Sequence, residues 1–574
     1  MRDALLLSIC TALAACQVST QDVADMNPLL LNDRNLRGAG VTSRVTPTGT
    51  QYVASVVAAA FSSHFADAKT SKVQKEHRLT SLSTVTLRRL MLETWQLDKQ
   101  LVSTSTAAGL LQIAAHNISV SASAVLSGEL RRIRLEDAVT IRTSSLRLDV
   151  AVRILKNAGG NPTLIMESCK IVTQGIKLVS KPMDPRNGKS LADAIANDAN
   201  SMFRGMICPK LEHILTNRVN QRFALLSSRI SLEDSKHFDV VKVLMQAEER
   251  MKRLVGQNAP LRRNVHAHNA RFVSRDPVRG RRQADDEKFH LILNSFNFSH
   301  ADSLMLDYSM LTSPSLTSRG IELQTSGEVY QTGHGTPFGA GPTFLPRVPN
   351  PSQMLQIVVS DFVPNSLMFH GHRIKLFDTR IDWTTPQFGP IMRTSCDLGT
   401  GSLFCVGDLF PALREMLPDR NIAFVFTTLK APALIVQTEE RGGIHFNLLG
   451  LIRLISDRNE PIGDMEIRID ALMKMKLTAK SVKGKVTIEE IQFKTRSPRI
   501  LLQEELDDAG FLSREILQRM VNDILRQGIP IPIHPLFKLI KPKLTLLPRA
   551  MLLETNFALN EHIIAQLTAE TLAA

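Results

Sequence analysis

The sequence predicts an α+β protein built from long antiparallel strands curled against a helix, with that unit present twice. Three observations predict it. First, apolar residues alternate over unusually long runs. Leu146, Leu148, Val150, Val152 and Ile154 alternate with Arg147, Asp149, Ala151 and Arg153, and Met465, Ile467, Ile469, Ala471, Met473, Met475 and Leu477 stand at period two. Second, stripes of helical period flank each run. Third, the order of helix, long strands and helix recurs in the second half, an internal repeat of architecture without repeat of sequence. The 574 residues are 43% apolar and 22% charged, a composition that excludes general disorder and allows two to four domains.

Met1 to Gln17 reads as an export signal: Arg2, then an apolar stretch Ala4 to Ala15 too short to span a bilayer, then small residues at Ala12, Ala14 and Ala15. Leu13-Ala14-Ala15-Cys16 also fits a bacterial lipoprotein box. Two glycosylation acceptors, Asn117 (with Ser119) and Asn297 (with Ser299), favour the secretory route and an extracellular location. Four cysteines then remain. Their spacing suggests Cys169–Cys208 and Cys396–Cys405, one bridge per half, worth about 4 and somewhat under 3 kcal/mol by loop entropy.

After Thr46-Pro47-Thr48-Gly49, the residues Tyr52, Val53, Val56, Val57, Ala60 and Phe61 form the first helical stripe. Strands follow over about 84–180, with Ser127 to Arg134 as a charged tip between two of them. A second helix is expected over about 188–226. Residues 231–288 read as a charged insert, in which Arg279-Gly280-Arg281-Arg282 resembles a proprotein-convertase site or an uncut Arg-rich loop. Residues 331–353 form a Gly/Pro-rich connector. Met354 to Val359 reads as a strand, Asp361 to Phe369 as a short helix limited by Pro364, and 511–526 as the last helix.

Charge is uneven. Residues 29–230 carry 27 Lys+Arg against 14 Asp+Glu, residues 231–288 carry 13 against 9, and residues 289–574 carry 28 against 29. The first half is a basic module, suited to anionic lipid, lipopolysaccharide, glycosaminoglycan or nucleic acid, and the second is neutral overall. With only three Tyr and two Trp, base-stacking recognition of nucleic acid is disfavoured. The long aliphatic faces are either ordinary core or the lining of a lipid slot, where a sixteen-carbon chain would gain up to about 12 kcal/mol. Catalytic signatures such as GxSxG, HExxH and the phosphate-binding loop are missing, and Gly333-His334-Gly335 lacks a strand-to-helix context. His370-Gly371-His372 and His266-Ala267-His268 read as surface histidines, not metal ligands. A non-enzymatic protein without metal or cofactor is expected.

Four stretches resemble the bactericidal/permeability-increasing, lipopolysaccharide-binding and plasma lipid transfer protein family. They are Gly160-Asn161-Pro162-Thr163 leading to Cys169 and Cys208-Pro209-Lys210-Leu211-Glu212; Leu306 to Leu311 with Pro314 and Ser326 to Tyr330; Met354 to Phe362; and Gly528-Ile529-Pro530-Ile531-Pro532-Ile533. The resemblance covers about 29–230 and 300–565. It implies two elongated antiparallel β-barrels, each wrapped on a long helix, joined by a central β-sheet into a boomerang. The corresponding division is a signal peptide (1–17), a basic barrel (29–230), the insert (231–288), central sheet and connector (289–353) and a second barrel (354–574). It further implies bound phospholipid beneath the helices, with Tyr52, Val53, Val56, Val57, Phe61, Met202 and Ile214 as lining. The matching head-group tip is Lys69, Lys72, Lys75, Arg78, Arg131, Arg132 and Arg134, facing lipopolysaccharide or another anionic lipid at a membrane or lipoprotein surface. An innate-defence role is implied, or alternatively transfer of phospholipid or sterol ester between particles. The insert, the Cys396–Cys405 bridge and a tail with Ile563, Ile564 and Leu567 depart from the family pattern.

Overall fold

The computed structural model describes residues 24–66, 75–130, 132–180, 185–225, 227–231, 303–347, 350–385, 389–396, 405–478, 481–527, 529–530 and 537–560. The signal segment, Lys69, Lys72, Arg131, Arg282, Asn297, the His266–His268 pair and the tail beyond residue 560 lie outside them.

In the first half, strands Lys75–Arg78, Val85–Gln96, Leu110–Leu130, Ala138–Lys156 and Pro162–Ser180 form one antiparallel sheet in that order. Straight, the 21-residue strand would run about 70 Å. Register breaks at Ala115/Ile118 and Ile118/Val120 bend it, so the sheet curls. Its concave positions Ile118, Val120, Ala122, Leu126, Ile141 and Leu146 are buried beneath Leu191, Ile195, Ala199, Phe203 and Ile207. These last five lie on helix α2 (Pro185–Ile214), which follows helix α1 (Pro47–Ala66) in the chain. The expected helix over about 188–226 thus begins at Pro185 and passes through a π-turn, Leu215–Val219, into Asn220–Leu225. Cys169 on the last strand is bridged to Cys208 on α2.

The second half repeats this plan. Strands Thr379–Ile381, Ile422–Thr428, Ile444–Ser456, Pro461–Leu477, Ser481–Thr495 and Ile529–Pro530 pair in that order. Helix α3 (Phe362–Arg373) precedes them, and Pro364 is its third residue, where a missing N–H costs little, so the helix runs past Phe369. Helix α4 (Gln503–Gln527) starts eight residues before the apolar stripe at 511. That first stretch, with Glu504, Glu505, Asp507 and Asp508, is too polar to register as a stripe, yet its acidic residues favour a helix N-terminus. Cys396 and Cys405 are bridged in the loop before Ile422.

Neither sheet closes on itself by backbone hydrogen bonds along its described path; side-chain amides of the helices complete it. Asn220 Oδ1 accepts from the Leu164 N–H at 2.7 Å while its Nδ2 donates to the Leu164 carbonyl at 2.8 Å. Asn522 grips Val486 in the same way, at 2.7 and 2.8 Å. Gln518 accepts from the Ile488 N–H, and Gln503 accepts from Thr495 and donates to Phe493. Each amide stands in for a neighbouring strand and satisfies an edge that would otherwise be bare.

The halves meet in a six-stranded sheet ordered Ser315–Thr317, Gly320–Thr325, Val41–Val45, Leu355–Ser360, Ala550–Leu559 and Phe537–Leu547. It therefore takes strands from both barrel segments as well as from 289–353, so those sequence boundaries cut through it. Arg44, 1% exposed, sits in its middle. Its guanidinium donates to Glu322, Gln356 and the Pro346 carbonyl at 2.8–2.9 Å, and Gln356 donates on to Glu554. Glu322, Arg44, Gln356 and Glu554 are consecutive partners in register, one polar row across four strands.

A second cation fixes the joint. Arg549 donates to Asp361 at 2.6 and 3.1 Å and to Asp33 at 2.6 and 3.3 Å. Burial opposes the Arg549 charge, but the bonds to Asp361 and Asp33 outweigh it and hold the guanidinium above its ordinary range. Asp33 belongs to an N-terminal arm whose Met26 and Leu30 pack with Phe338, Phe362, Phe369 and Ile435. The arm thus leaves the first half and anchors in the second. Arg549→Met strands two carboxylates that are 6% and 1% exposed. We expect a loss of about 3 kcal/mol in urea unfolding, the low end for a broken buried pair because Arg549 itself is partly exposed.

Candidate functional site

Helix α1 starts cleanly: Pro47 is its first residue, and the Thr46 hydroxyl accepts from the Gly49 N–H at 3.3 Å. Its two faces diverge. Ala54 and Ala58 turn to the first curled sheet, whereas Tyr52, Val53 and Val56 pack on Phe557 and Leu559 of the central sheet. The Tyr52 and Phe557 rings meet edge-on at 5.8 Å, and the Tyr52 hydroxyl accepts from the Leu559 N–H at 3.1 Å. The expected lining is therefore divided. Tyr52, Val53 and Val56 serve the joint. Met202 and Ile214, 2% and 3% exposed, are sealed in. Val57 is half-buried, and the Phe61 side chain lies outside the described residues. The half-buried apolar side chains around the Cys169–Cys208 bridge are instead Ile113, Val150, Met166, Met206 and Leu211. Met206 stands one turn from Met202 on the same helical stripe; periodicity gave the face but not the turn at which it opens.

The second interior is more open. Phe424, Phe426, Ile452, Ile469, Met473 and Ile491 point to the concave side of the sheet, and all are only half-buried. Inward-facing side chains in that state are ones the protein itself does not cover. Leu517, Val521 and Leu525 of α4 roof one end over Ala471, Val486 and Ile488. Gly450 lies under the Phe426 ring, where a Cβ would stand 2.3 Å from Cε2, so its bareness lets the ring lie on the sheet floor. Sequence alternation marks these residues as one face of a strand but carries no sign that the face stays uncovered, because covering depends on where α4 lies.

At the far end of the first sheet, Arg132 and Arg134 are both exposed, Arg132 just before the short strand Ile133–Leu135 and Arg134 on it, opposite Glu129. Arg78, exposed on the first strand, is opposite Thr86, which in turn is opposite Ser127, so it shares this end. Gly128 (φ 143°) allows the Thr84 carbonyl to come within 1.9 Å of where a Cβ would be, bringing the preceding loop against the tip. Lys75 lies on the same strand as Arg78. The structure adds Ile133 and Val179, 50% and 49% exposed, which period-two reading assigned no role.

Residues 299–559 match the LBP / BPI / CETP family, C-terminal domain. The match falls on the second half of this chain. Bactericidal permeability-increasing protein of Rattus norvegicus is 23% identical over 257 residues, 44% of this chain and 52% of that protein. Lipopolysaccharide-binding protein of Homo sapiens is 20% identical over 244 residues, 40% of this chain and 47% of that protein. The chain thus matches about half the length of these curated relatives. A crystal structure of lipopolysaccharide binding protein aligns over 91% of this chain and 100% of that chain, at 13% identity and a TM-score of 0.47.

Within residues 299–559 one expectation changes. His370 and His372 are not surface residues: His370 is buried with Nε2 3.1 Å from the Thr336 hydroxyl, and His372 Nδ1 is 2.5 Å from the Thr428 hydroxyl. They lie on α3, whose core packing a sequence reading of two close histidines does not reveal. Cys396, Cys405 and Asp408 cluster, but both sulfurs are bridged and offer no thiolate to a metal. In the first half, Asn117 is exposed at a bulge with φ 53°, and its Oδ1 accepts from the Ser145 hydroxyl at 3.3 Å.

Burial lowers the His372 pKa below its ordinary 6.5, against a smaller upward pull from Asp25, whose carboxylate is 4.0 Å from Nε2. The unfolded chain then takes up the proton first. The His372 contribution to stability is full above pH 6.5 and lost as pH falls through the folded-state value. His372→Gln should flatten that part of the stability–pH curve, measured by urea midpoints between about pH 7.5 and 5.

Proposed function

We propose that this is a secreted, non-enzymatic lipid-binding protein that holds phospholipid acyl chains in its apolar interiors and meets anionic lipid, including lipopolysaccharide, through the Arg78–Arg132–Arg134 tip. One observation carries the reading: the concave face of the second sheet is aliphatic and aromatic yet half-uncovered at Phe424, Phe426, Ile452, Ile469, Met473 and Ile491. Each methylene that such a face withdraws from water contributes about 0.8 kcal/mol, which a bound acyl chain supplies and water does not. The family domain and relatives named for lipopolysaccharide binding support the same reading. Two disulfides suit an oxidising compartment. Exposed guanidinium groups at the tip suit bidentate contacts to phosphates, and Ile133 between Arg132 and Arg134 adds an apolar point to the same tip.

Native mass spectrometry of the purified full chain should find co-purified phospholipid. Ile469→Trp, which fills the second interior, should lower the lipid count by one with the fold retained; an unchanged count overturns the acyl-chain reading. Arg132→Gln with Arg134→Gln should weaken binding to lipopolysaccharide, most at low salt, by about thirtyfold, at about 1 kcal/mol for each of the two surface cations removed. A defence role and a carrier role separate by assay: labelled phospholipid moving between neutral vesicles at a rate insensitive to salt favours the carrier.

A further inference from the structure

The second half is neutral in sum, but its charge is not evenly placed. Strands Pro461–Leu477 and Ser481–Thr495 set Lys474 directly opposite Lys485 and Lys476 directly opposite Lys483. All four are exposed, and they alternate with the inward positions Met473, Met475, Gly484 and Val486, so all four stand on the outer face. None of them is ion-paired among the described residues, although Glu439 and Glu440 are exposed on the turn before the neighbouring strand. The rows further along the hairpin are Leu472 with Thr487 and then Asp470, whose carboxylate accepts from Asn447, with Glu490. Like charges directly opposed across a ladder destabilise it. Lysines often blunt exposed edges, and that would explain Lys483 and Lys485. It does not explain Lys474 and Lys476, which lie on the inner strand of the pair.

We propose that this hairpin is a second docking surface, for an anionic phospholipid membrane, independent of the basic tip of the first half. Charge complementarity selects an anionic partner. The adjoining strand selects a bilayer over a sulfated polysaccharide. Phe537–Leu547 packs beside Pro461–Leu477 and exposes Phe537 and Ile540, 39% and 40%, among the exposed Lys538, Lys541 and Lys543. Lysines meeting phosphates beside apolar side chains that reach acyl chains is the chemistry of a membrane interface; a polysaccharide offers no apolar phase.

The test uses the full chain carrying Arg132→Gln and Arg134→Gln, so that the first tip is silent. Its binding to vesicles of phosphatidylcholine with about 30% phosphatidylserine should persist and fall with salt. Adding Lys474→Glu and Lys476→Glu places a carboxylate opposite Lys485 and Lys483, which cancels the local charge while pairing it across the strands. That variant should melt no lower than its parent and bind these vesicles at least about tenfold more weakly, with pure phosphatidylcholine as the blank. Undiminished vesicle binding by the folded variant overturns the proposal. So does loss of retention on immobilised heparin with vesicle binding intact, which would assign the surface to a sulfated polysaccharide.

Discussion

A guanidinium with no access to water sits at the centre of this protein, and the arrangement of both halves follows from how it is satisfied. Arg44 is 1% exposed, so its charge is tolerable only if every neighbour is in place: Glu322 on one side, Gln356 on the other, the connector carbonyl of Pro346 above. Those partners lie 278, 302 and 312 positions further along the chain. The strand Val41–Val45 can therefore seat only when Gly320–Thr325 and Leu355–Ser360 are both present to flank it. Arg549 imposes the same condition on the N-terminal arm and the start of α3 through Asp33 and Asp361. The two curled sheets are consequently held by polar fits that specify one geometry, while the apolar packing around them supplies most of the favourable free energy.

That division leaves the interiors free to differ. In the first half much of the concave face is filled by α2 side chains, and half-buried apolar side chains stand both near the Cys169–Cys208 bridge, at Ile113, Val150 and Met166, and towards the tip, at Ile176 and Leu178. In the second half α4 covers only part of the concave face, and the aromatic and aliphatic floor around Gly450 remains half-uncovered. Because the edge strands are closed by a few amide side chains, Asn200 and Asn220 in one half and Gln503, Gln518 and Asn522 in the other, each helix is attached along a seam with few polar contacts. A helix so attached can rest over an apolar interior without being rigidly sealed to it, which is the arrangement a lipid-holding sleeve requires.

Much of this was legible in residue order. Alternation at Leu146–Ile154 and Met465–Leu477 marked strands, and both cysteine pairs followed from spacing. The tip between Leu130 and Ile133 was visible as a charged turn between apolar runs. Other features were hidden for physical reasons. The first turns of α4 are polar and carry no stripe. The amides at Asn220, Asn522 and Gln518 look like any surface amide until a bare strand edge is set beside them. His370 and His372 could not be told from surface histidines because burial is a property of the whole packing. The lysine rows on the second hairpin vanish in a net charge of −1, since a sum over residues 289–574 discards which strand faces which.

The sequence by itself determined the local alphabet of this protein: where strands run, where helices begin near their caps, which residues are apolar on one side. Those are short-range consequences of periodicity and backbone preference, and they need no knowledge of partners. Only the tertiary structure decided that Tyr52 serves the joint, that Met202 is sealed while Ile469 is not, and that Arg44 and Arg549 lock distant segments together. Each of these depends on what arrives from elsewhere in the chain to cover, pair or leave open a given side chain, and that information is carried by register and packing across hundreds of residues.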